Sequence, residues 1–304
     1  MKTLLSIQTK SKQLVQASFI VASALLLPLL STAQTAADSV AIVDKVWVET
    51  EIKPGLVWKK AHFEGLFNSN QAVNYLEVDL NHPDRKVSYA GVPVGFKRTS
   101  EFVKEAGAAA GINATFFDTR NGGSVTLLKI DGEEINETTL FLASGKRNER
   151  ASGAILLQQN NAQRQAQIIA GNNDQADWDK QVKADNILVS GPVMILESDY
   201  FKLDSNAFNN NRHPRSAVAV LPGNKLILIA VDGRNAQAQG MSIHELAYLL
   251  KILGAKQAIN LDGGGSTALY VEGAGENGIV NHPSDNQLFD HHGERRVANA
   301  IIIF

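Results

Sequence analysis

Short apolar runs separated by turn residues dominate the chain from residue 45 onward, and they predict a protein rich in β-strands. The predicted strands are Lys45–Glu51, Val73–Leu80, Lys86–Val92, Ala154–Gln158 and Asn186–Leu196. Residues 158–177 are rich in Asn, Gln and Ala, but residues 165–170 keep a strand pattern, which favours a surface hairpin over a linker.

Two further hairpins are predicted from turn chemistry. Residues 127–135 contain Asp131-Gly132 between apolar runs, and Pro222-Gly223-Asn224-Lys225 separates Ser216–Leu221 from Leu226–Val231. Asp-Gly and Pro-Gly pairs suit tight turns because they tolerate the backbone angles that such turns need.

Two segments have helical periodicity and a serine in the capping position: Ser100 before Glu101–Ala110, and Ser242 before Ile243–Leu253. Predicted strands flank each helix, so each unit predicts two parallel strands joined by a right-handed crossover. Strands far outnumber helices. The predicted fold class is therefore α+β, a mixed twisted β-sheet with few helices that includes strand–helix–strand crossover units.

Residues 1–33 are typical of a cleaved signal peptide. Three lysines precede the apolar run 17–30, and Ser31-Thr32-Ala33 provides small residues for cleavage near Ala33. The run of about 14 residues is short of the roughly 20 that a membrane span requires. We therefore expect a periplasmic or secreted protein with no membrane span in the mature chain. The absence of cysteine also fits an exported bacterial chain without disulfides.

The mature chain divides on pattern into a β-rich segment, residues 34–100, and a domain of residues 101–304. Removing residues 1–33 takes the formal charge from −2 to −5, because that segment holds three lysines and no acids. This mild and evenly spread acidity is unlike a nucleic-acid-binding protein, so no nucleic-acid partner is predicted.

The stretch Asn260–Thr267, NLDGGGST, places an acid and three glycines at the end of a predicted buried strand. Glycine suits positions where backbones approach closely or φ is positive, and successive N–H groups can hold an anion. The phosphate-loop, dinucleotide-binding and serine-elbow patterns do not match. Ligands bind beyond the carboxyl ends of parallel strands. Asp232 and Asp262, which both follow such strands, are therefore predicted to meet at a cleft.

Several separated motifs together resemble the phosphodiester glycosidases, in order and spacing, over roughly residues 110–304. They are Gly111–Asp118, Ser190–Pro192, His213–Ala217, Val231–Arg234, Ser242–Ala247, Asn260–Thr267 and Glu294–Ala300. The resemblance implies hydrolysis of the bond between the anomeric carbon of a sugar and a phosphate diester. An N-acetylglucosamine-1-phosphodiester is an example of such a carbohydrate substrate.

The predicted catalytic residues are Asp262, as base or nucleophile at the anomeric carbon, with Asp232 or Glu245 as its partner. Asp232 could instead serve its turn, and Glu245 could complete a capping box with Ser242. Arginine binds phosphate through a planar fork, so Arg215 is predicted to stabilise the departing phosphate. The predicted substrate-binding residues are Asn113, Arg215, Arg234, Gly263, Gly264, Gly265, Ser266, Thr267 and Asn299.

A loop near the C-terminus is crowded with potential metal ligands: His282, Asp285, Asp290, His291 and His292. Their spacing matches no ligand pattern, which favours a solvated loop, and no metal or other cofactor is predicted. The residues leave open a Ca²⁺ ion held by cleft oxygens. Two other functions stay open, a non-catalytic carbohydrate-binding envelope protein and a metal-dependent phosphodiesterase.

Overall fold

A computed structural model describes residues 35–159, 164–172 and 175–304. The predicted signal peptide, residues 1–33, lies outside the described residues. Residues Gln34–Phe304 form one compact unit. Within the described ranges, no helix is both long and apolar enough to cross a membrane.

The strands, numbered in chain order, are β1 (Val48–Lys53), β2 (Leu56–Phe63), β3 (Gln71–Asp79), β4 (Val87–Gly91), β5 (Lys97–Arg98), β6 (Ala110–Asn113), β7 (Leu128–Ile130), β8 (Glu133–Asn136), β9 (Gly153–Gln159), β10 (Arg164–Ala170), β11 (Ile187–Ser190), β12 (Val193–Leu196), β13 (Asp199–Tyr200), β14 (Arg215–Leu221), β15 (Lys225–Val231), β16 (Gln257–Asn260), β17 (Leu269–Val271), β18 (Arg296–Val297) and β19 (Asn299–Ile303). The α-helices are α1 (Ala36–Val43), α2 (Thr99–Ala106), α3 (Ala207–Asn210) and α4 (Ile243–Ile252).

The central sheet has eight strands in the order β1-β2-β3-β15-β14-β16-β12-β13. A five-stranded sheet has the order β10-β9-β11-β7-β8, and a four-stranded sheet has the order β17-β6-β19-β4. The abundance of strands over helices confirms the predicted α+β class. The N-terminal strands β1 to β3 extend the central sheet through the pairing of β3 with β15.

The two predicted crossover units join strands of the same direction, but those strands are not neighbours. β14 pairs antiparallel with both β15 and β16, so β15 and β16 are parallel with β14 between them. In the same way, β19 lies between β4 and β6. The paired strands are therefore antiparallel, while β15 and β16 still end at the same edge of the sheet.

The inner strands of the central sheet, β3, β15, β14, β16 and β12, are buried on both faces, as their continuous apolar sequences require. In β15, Leu226, Leu228 and Ala230 pack into a core shared with the four- and five-stranded sheets. Ile227 and Ile229 face the opposite way, into a core that contains the apolar side of α4. Because both faces are covered, a ligand can reach this part of the sheet at the strand ends.

Helix α4 begins as predicted, because Ser242 and Glu245 form a complete capping box. The prediction for α2 was wrong at both ends. The helix spans Thr99–Ala106, and Gly107 ends it in the left-handed conformation at φ +66°. Ser100 is not its cap; its hydroxyl instead donates to the carboxylate of Glu294.

The predicted strand Asn186–Leu196 is two strands in different sheets. β11 belongs to the five-stranded sheet and β12 to the central sheet, and Gly191-Pro192 separates them. An apolar pattern predicts that a segment is buried, but it does not predict which sheet the segment joins.

Candidate functional site

The candidate site lies at one edge of the central sheet, where β15 and β16 end and β14 begins. Asp232 directly follows β15, and Asp262 follows β16 by two residues. Neighbouring strands are roughly 4.8 Å apart, so backbones separated by one intervening strand lie about 10 Å apart. Because β15 and β16 run in the same direction, the two aspartates lie at the same end of the sheet, as the sequence predicted.

Asp262 is held from several sides and keeps partial access to solvent. Its carboxylate accepts hydrogen bonds from the N–H of Gly263, at 3.0 Å, and from the hydroxyl of Ser266. Its backbone N–H donates to Ala114 O at 2.9 Å, and its carbonyl accepts from Asn113 Nδ2 at 2.7 Å. These hydrogen bonds therefore fix the position of the carboxylate at the edge of the central sheet where β15 and β16 end.

Burial raises the pKa of Asp262 to about 6. The hydrogen bonds from Ser266 and Gly263 act in the opposite direction, as do the nearby positive charges of Arg150 and Arg295. A carboxyl group with a pKa in this range can accept or release a proton near neutral pH, which suits acid–base chemistry.

The three glycines after Asp262 allow other parts of the protein to approach closely, as predicted. A Cβ on Gly263 would lie 2.6 Å from Pro214 O, and one on Gly264 would lie 2.9 Å from the guanidinium of Arg234. Gly264 also has φ +63°. The anion-cradle prediction for the loop is weakened, because the N–H of Gly263 bonds Asp262 and that of Gly264 bonds Pro214 O.

Two arginines at this edge have no carboxylate partner. Arg150 packs its guanidinium over Phe208, 4.5 Å from the ring centroid, and it lowers the pKa values of both Asp262 and Arg215. Arg234 is exposed, with φ +65°, and lies against Gly264. Neither forms an ion pair in the part of the chain that the structure describes. Such cations favour an anionic ligand.

The turn that carries Arg150 depends on close contact with the Ser190–Pro192 motif. A Cβ on Gly191 would lie 2.1 Å from Glu149 O, so only glycine lets this turn approach. Arg150 was not among the predicted site residues. The Ser-Gly-Pro motif was the available signal, but a sequence does not show which distant turn packs against it.

Arg215 is only 2% exposed, and its guanidinium donates to the carbonyls of Met241, Phe208 and Asn211, each at 2.8 Å. Burial lowers its pKa to about 10. These contacts favour a structural role. The predicted contact of Arg215 with a departing phosphate stays a prediction that this geometry does not favour.

Glu245 is buried, and its carboxylate accepts from both Arg212 Nε and Ser242 N. These bonds tie the start of α4 to the chain before β14, in agreement with the capping alternative. The structure therefore gives no support to the predicted catalytic role of Glu245.

The predicted substrate-binding asparagines form hydrogen bonds within the protein, through both polar atoms of Asn113 and through Oδ1 of Asn299, whose buried Nδ2 has no partner among the described residues. Asn113 donates to Asp262 O, and its Oδ1 accepts from Ser216 Oγ at 2.7 Å and from Ala268 N at 3.1 Å. Asn299 Oδ1 accepts from Thr115 N at 2.7 Å. Both side chains are 1% exposed. They position the strand ends, and contact with a sugar stays a prediction.

Asp232 is completely buried, and both carboxylate oxygens are engaged. Oδ1 accepts from His282 N at 2.8 Å and from Asn281 Nδ2 at 3.1 Å, and Oδ2 lies 2.7 Å from His282 Nδ1. Asp232 can therefore reach a ligand only through His282. The loop predicted to be solvated thus contributes a histidine to the site. Among the described residues, no cluster of three acidic or histidine side chains could hold a metal ion.

A pocket of about 510 Å³ adjoins this edge and is lined by residues 233–235, 284, 285, 287 and 288. It therefore includes Arg234 and the residues that follow Asp232 and His282. A larger pocket of about 640 Å³ is lined by Gln158, Gln165, Gln167 and Gln257, among others, and contains no predicted site residue. The smaller pocket is the better candidate, because charge and a perturbed carboxyl group converge beside it.

These features define a protein with a partly buried carboxyl group and two nearby arginines at one edge of an α+β sheet. Residues 106–304, well over half of the chain, match the phosphodiester glycosidase family. The chain belongs to that family.

Two curated relatives match short segments. The SPbeta prophage-derived uncharacterized protein YomE of Bacillus subtilis is 37% identical over 70 residues, 23% of this chain and 11% of that protein. N-acetylglucosamine-1-phosphodiester alpha-N-acetylglucosaminidase of Mus musculus is 31% identical over 107 residues, 33% of this chain and 20% of that protein. The matches therefore span a fifth or less of these relatives.

Two solved structures share the fold. A hypothetical protein from Synechocystis has a TM-score of 0.61 at 18% identity, over 86% of this chain and 64% of that one. The catalytic domain of zebrafish N-acetylglucosamine-1-phosphodiester alpha-N-acetylglucosaminidase, auto-inhibited by its pro-peptide, has a TM-score of 0.61 at 17% identity. That match covers 85% of this chain and 86% of the zebrafish chain.

The raised pKa of Asp262 predicts a pH-dependent effect of Asp262→Asn on stability. The pKa in the folded state, about 6, lies above the ordinary value of 3.8 for an aspartate, so protonation of Asp262 favours the folded state. This contribution is complete below about pH 4 and is lost as the pH rises through about 6. The asparagine carries no charge, so its stability relative to the parent should rise between pH 4 and pH 8 by up to about 3 kcal/mol.

Thermal unfolding of Asp262→Asn and of the parent across that range measures the difference. Asp199→Asn, a change at an exposed strand end, is the matched control and should give a difference that does not vary. A pH-independent difference for Asp262→Asn would show that burial does not perturb this carboxyl group.

Proposed function

We propose that this chain is an exported glycoside hydrolase that cleaves the anomeric C–O bond of sugar-1-phosphodiesters. The single observation that carries the proposal is Asp262, a carboxyl group of raised pKa with Arg150 nearby and Arg234 against the glycine loop that follows it. Neither of these two arginines has a carboxylate partner among the described residues. A phosphodiester joined to a sugar supplies the anion for the arginines and places an electrophilic carbon next to the carboxylate. Membership of the phosphodiester glycosidase family supports this assignment.

In the proposed reaction, Asp262 acts at the anomeric carbon as base or nucleophile. The bond between C1 and the phosphate oxygen breaks, and the oxygen of water ends on C1. The phosphate leaves with the electron pair of that bond, so its negative charge increases on departure. Arg234 and Arg150 offset this charge, in the way that arginine clamps act on phosphates.

The structure provides no support for either alternative function. A metal-dependent phosphodiesterase needs a shell of acidic and histidine ligands, and none is present among the described residues. A sugar-binding module usually offers an exposed aromatic platform. Trp178 is buried, and Trp58 donates to Asn74. The exposed aromatic residues Phe141, Tyr200 and Phe201 do not line the candidate pocket. Hydrolysis in labelled water separates the three functions directly.

The experiment uses the mature chain, N-acetylglucosamine 1-(phenyl phosphate) and ¹⁸O-water. We expect label in the sugar, because attack at carbon leaves the phosphate oxygens unchanged. Label in the phosphate would instead identify a phosphodiesterase, and binding without turnover of any sugar phosphodiester would identify a binding protein.

Asp262→Asn should remain folded and lose several powers of ten in turnover, as expected for a main catalytic carboxylate. Asp199→Asn should retain the parent rate. Glu245→Gln addresses the partner role: retained turnover assigns Glu245 to the helix cap, and a loss comparable with that of Asp262→Asn restores it to the reaction. Parent-like turnover by folded Asp262→Asn would contradict the proposal.

Export rests on the sequence of residues 1–33, and the substrate would then lie outside the cytoplasm. When the full chain is expressed in a bacterium, we expect the processed protein in the periplasm or the medium, beginning near Gln34. Mass spectrometry of the intact protein from each fraction measures this. A full-length chain retained in the cytoplasm would contradict export without affecting the proposed reaction.

A further inference from the structure

We propose that His282 is the proton donor to the departing phosphate and that Asp232 is the residue that positions it. This inference rests on the proposed hydrolysis and deepens it, because it assigns the second proton-transfer group of the same site. His282 and Asp232 form a carboxylate–imidazole pair at the edge of the sheet where Asp262 lies.

The hydrogen bonds of Asp232 determine which nitrogen of His282 is available. The Oδ1 atom accepts from two N–H donors, and Oδ2 lies 2.7 Å from His282 Nδ1. An ionised carboxylate can only accept, so Nδ1 carries a proton in this network. Nε2 is then the ring nitrogen that can exchange a proton with a ligand, as in other histidines oriented by a buried carboxylate.

Aromatic contacts fix the orientation of the His282 ring. Phe289 stacks on it with a centroid distance of 3.9 Å and an interplanar angle of 8°, and His291 stacks at 4.5 Å. His291 is itself held by a 2.7 Å hydrogen bond between Nδ1 and Asn281 O. The His282 side chain nevertheless remains 23% exposed. Stacking therefore restrains the His282 ring, while part of the side chain remains accessible to solvent. This combination suits repeated proton transfer to a bound substrate.

The same network joins the pair to the Asp262 loop. Asn281 Nδ2 donates to Asp232 Oδ1 and also to Thr267 O, each at 3.1 Å. Residues 233, 234, 284 and 285, which follow Asp232 and His282, line the pocket of about 510 Å³. Arg234 in that pocket contacts Gly264. A phosphate held by Arg234 would therefore lie against the glycine loop, in a pocket lined by the residues that follow His282.

The proton balance of the step is complete. The imidazolium of His282 transfers its Nε2 proton to the phosphate oxygen as the C1–O bond breaks. Asp262 receives a proton from the water whose oxygen bonds to C1. The products are the free sugar and a phosphate monoester, and proton exchange with solvent returns both side chains to their starting forms. Asp232 stays ionised and stabilises the imidazolium.

Other titratable and charged groups lie near His282, and they also contribute to the pH dependence of the activity. His291 stacks on its ring, and Arg234 follows Asp232 by two residues. On the loop after His282, Asp285 pairs with Arg295, and Asp290 accepts from Asn286 and from the backbone N–H of His292. The exposed His292 has no ring contact with His282, so it provides a matched control.

The test measures kcat and KM across pH for the parent, His282→Gln, His282→Gly and Asp232→Asn. We expect both His282 variants to lose roughly 10²- to 10⁴-fold in kcat with little change in KM, which is the usual range for a general acid. The pH profile of kcat should differ between the parent and His282→Gln, because glutamine cannot donate this proton. Asp232→Asn should also lower kcat with little change in KM, because His282 is then no longer oriented by a carboxylate.

Added imidazole should restore part of the activity of His282→Gly and should have no effect on His292→Gly. Thermal unfolding verifies that each variant is folded. Parent-like kcat and an unchanged pH profile in His282→Gln, or a change in KM alone, would overturn the assignment while leaving the hydrolase function in place. Absence of turnover by the parent would reject the hydrolase function, and the proton-donor role with it.

Discussion

Pro214 lies between two glycines whose Cα atoms approach it too closely for any side chain. A Cβ on Gly233 would be 2.6 Å from Pro214 N, and one on Gly263 would be 2.6 Å from Pro214 O. Gly233 directly follows Asp232, and Gly263 directly follows Asp262. This three-strand contact brings both aspartates to one edge, and the pocket, the glycine loop and the histidine loop are assembled around it.

The electrostatics of the edge follow from that packing. Burial disfavours the ionised form of Asp262, while Arg150 and Arg295 favour it, and the net result is a pKa of about 6. Among the described residues, Arg150 and Arg234 have no carboxylate partner, so both cations are available to an incoming anion. Asp262 can therefore exchange a proton near neutral pH, and Arg150 and Arg234 can bind a negatively charged ligand.

Much of this arrangement could be predicted from local sequence. The Ser242–Glu245 capping box, the hairpin between β14 and β15, and the positions of Asp232 and Asp262 at strand ends all depend on residues close together in the chain. The crossover strands had the correct direction, but not all of their neighbours followed from the sequence. β14 pairs with β16 as well as with its hairpin partner β15, and β19, from the far end of the chain, lies between β4 and β6. Pairing between strands that are distant in the chain is not encoded in local periodicity.

The individual roles of polar residues were less predictable. Arg215 is the strongest example, because a motif identifies the arginine but its three carbonyl partners come from segments folded against it. His282 shows the opposite case. The spacing of the acidic and histidine residues in its loop matches no known pattern, and only the tertiary fold brings His282 to Asp232. Hydrogen-bond partners depend on tertiary contacts. The structure was therefore needed to show which motif residues support the fold and which lie at the cleft.

A crystal structure of Asp262→Asn with N-acetylglucosamine 1-(phenyl phosphate) bound tests the central claim most directly. The account predicts phosphate oxygens within hydrogen-bonding distance of the Arg234 guanidinium, with the anomeric carbon facing the side chain of residue 262. Substrate bound in the glutamine-lined pocket, or a phosphate that contacts neither Arg234 nor Arg150, would contradict it.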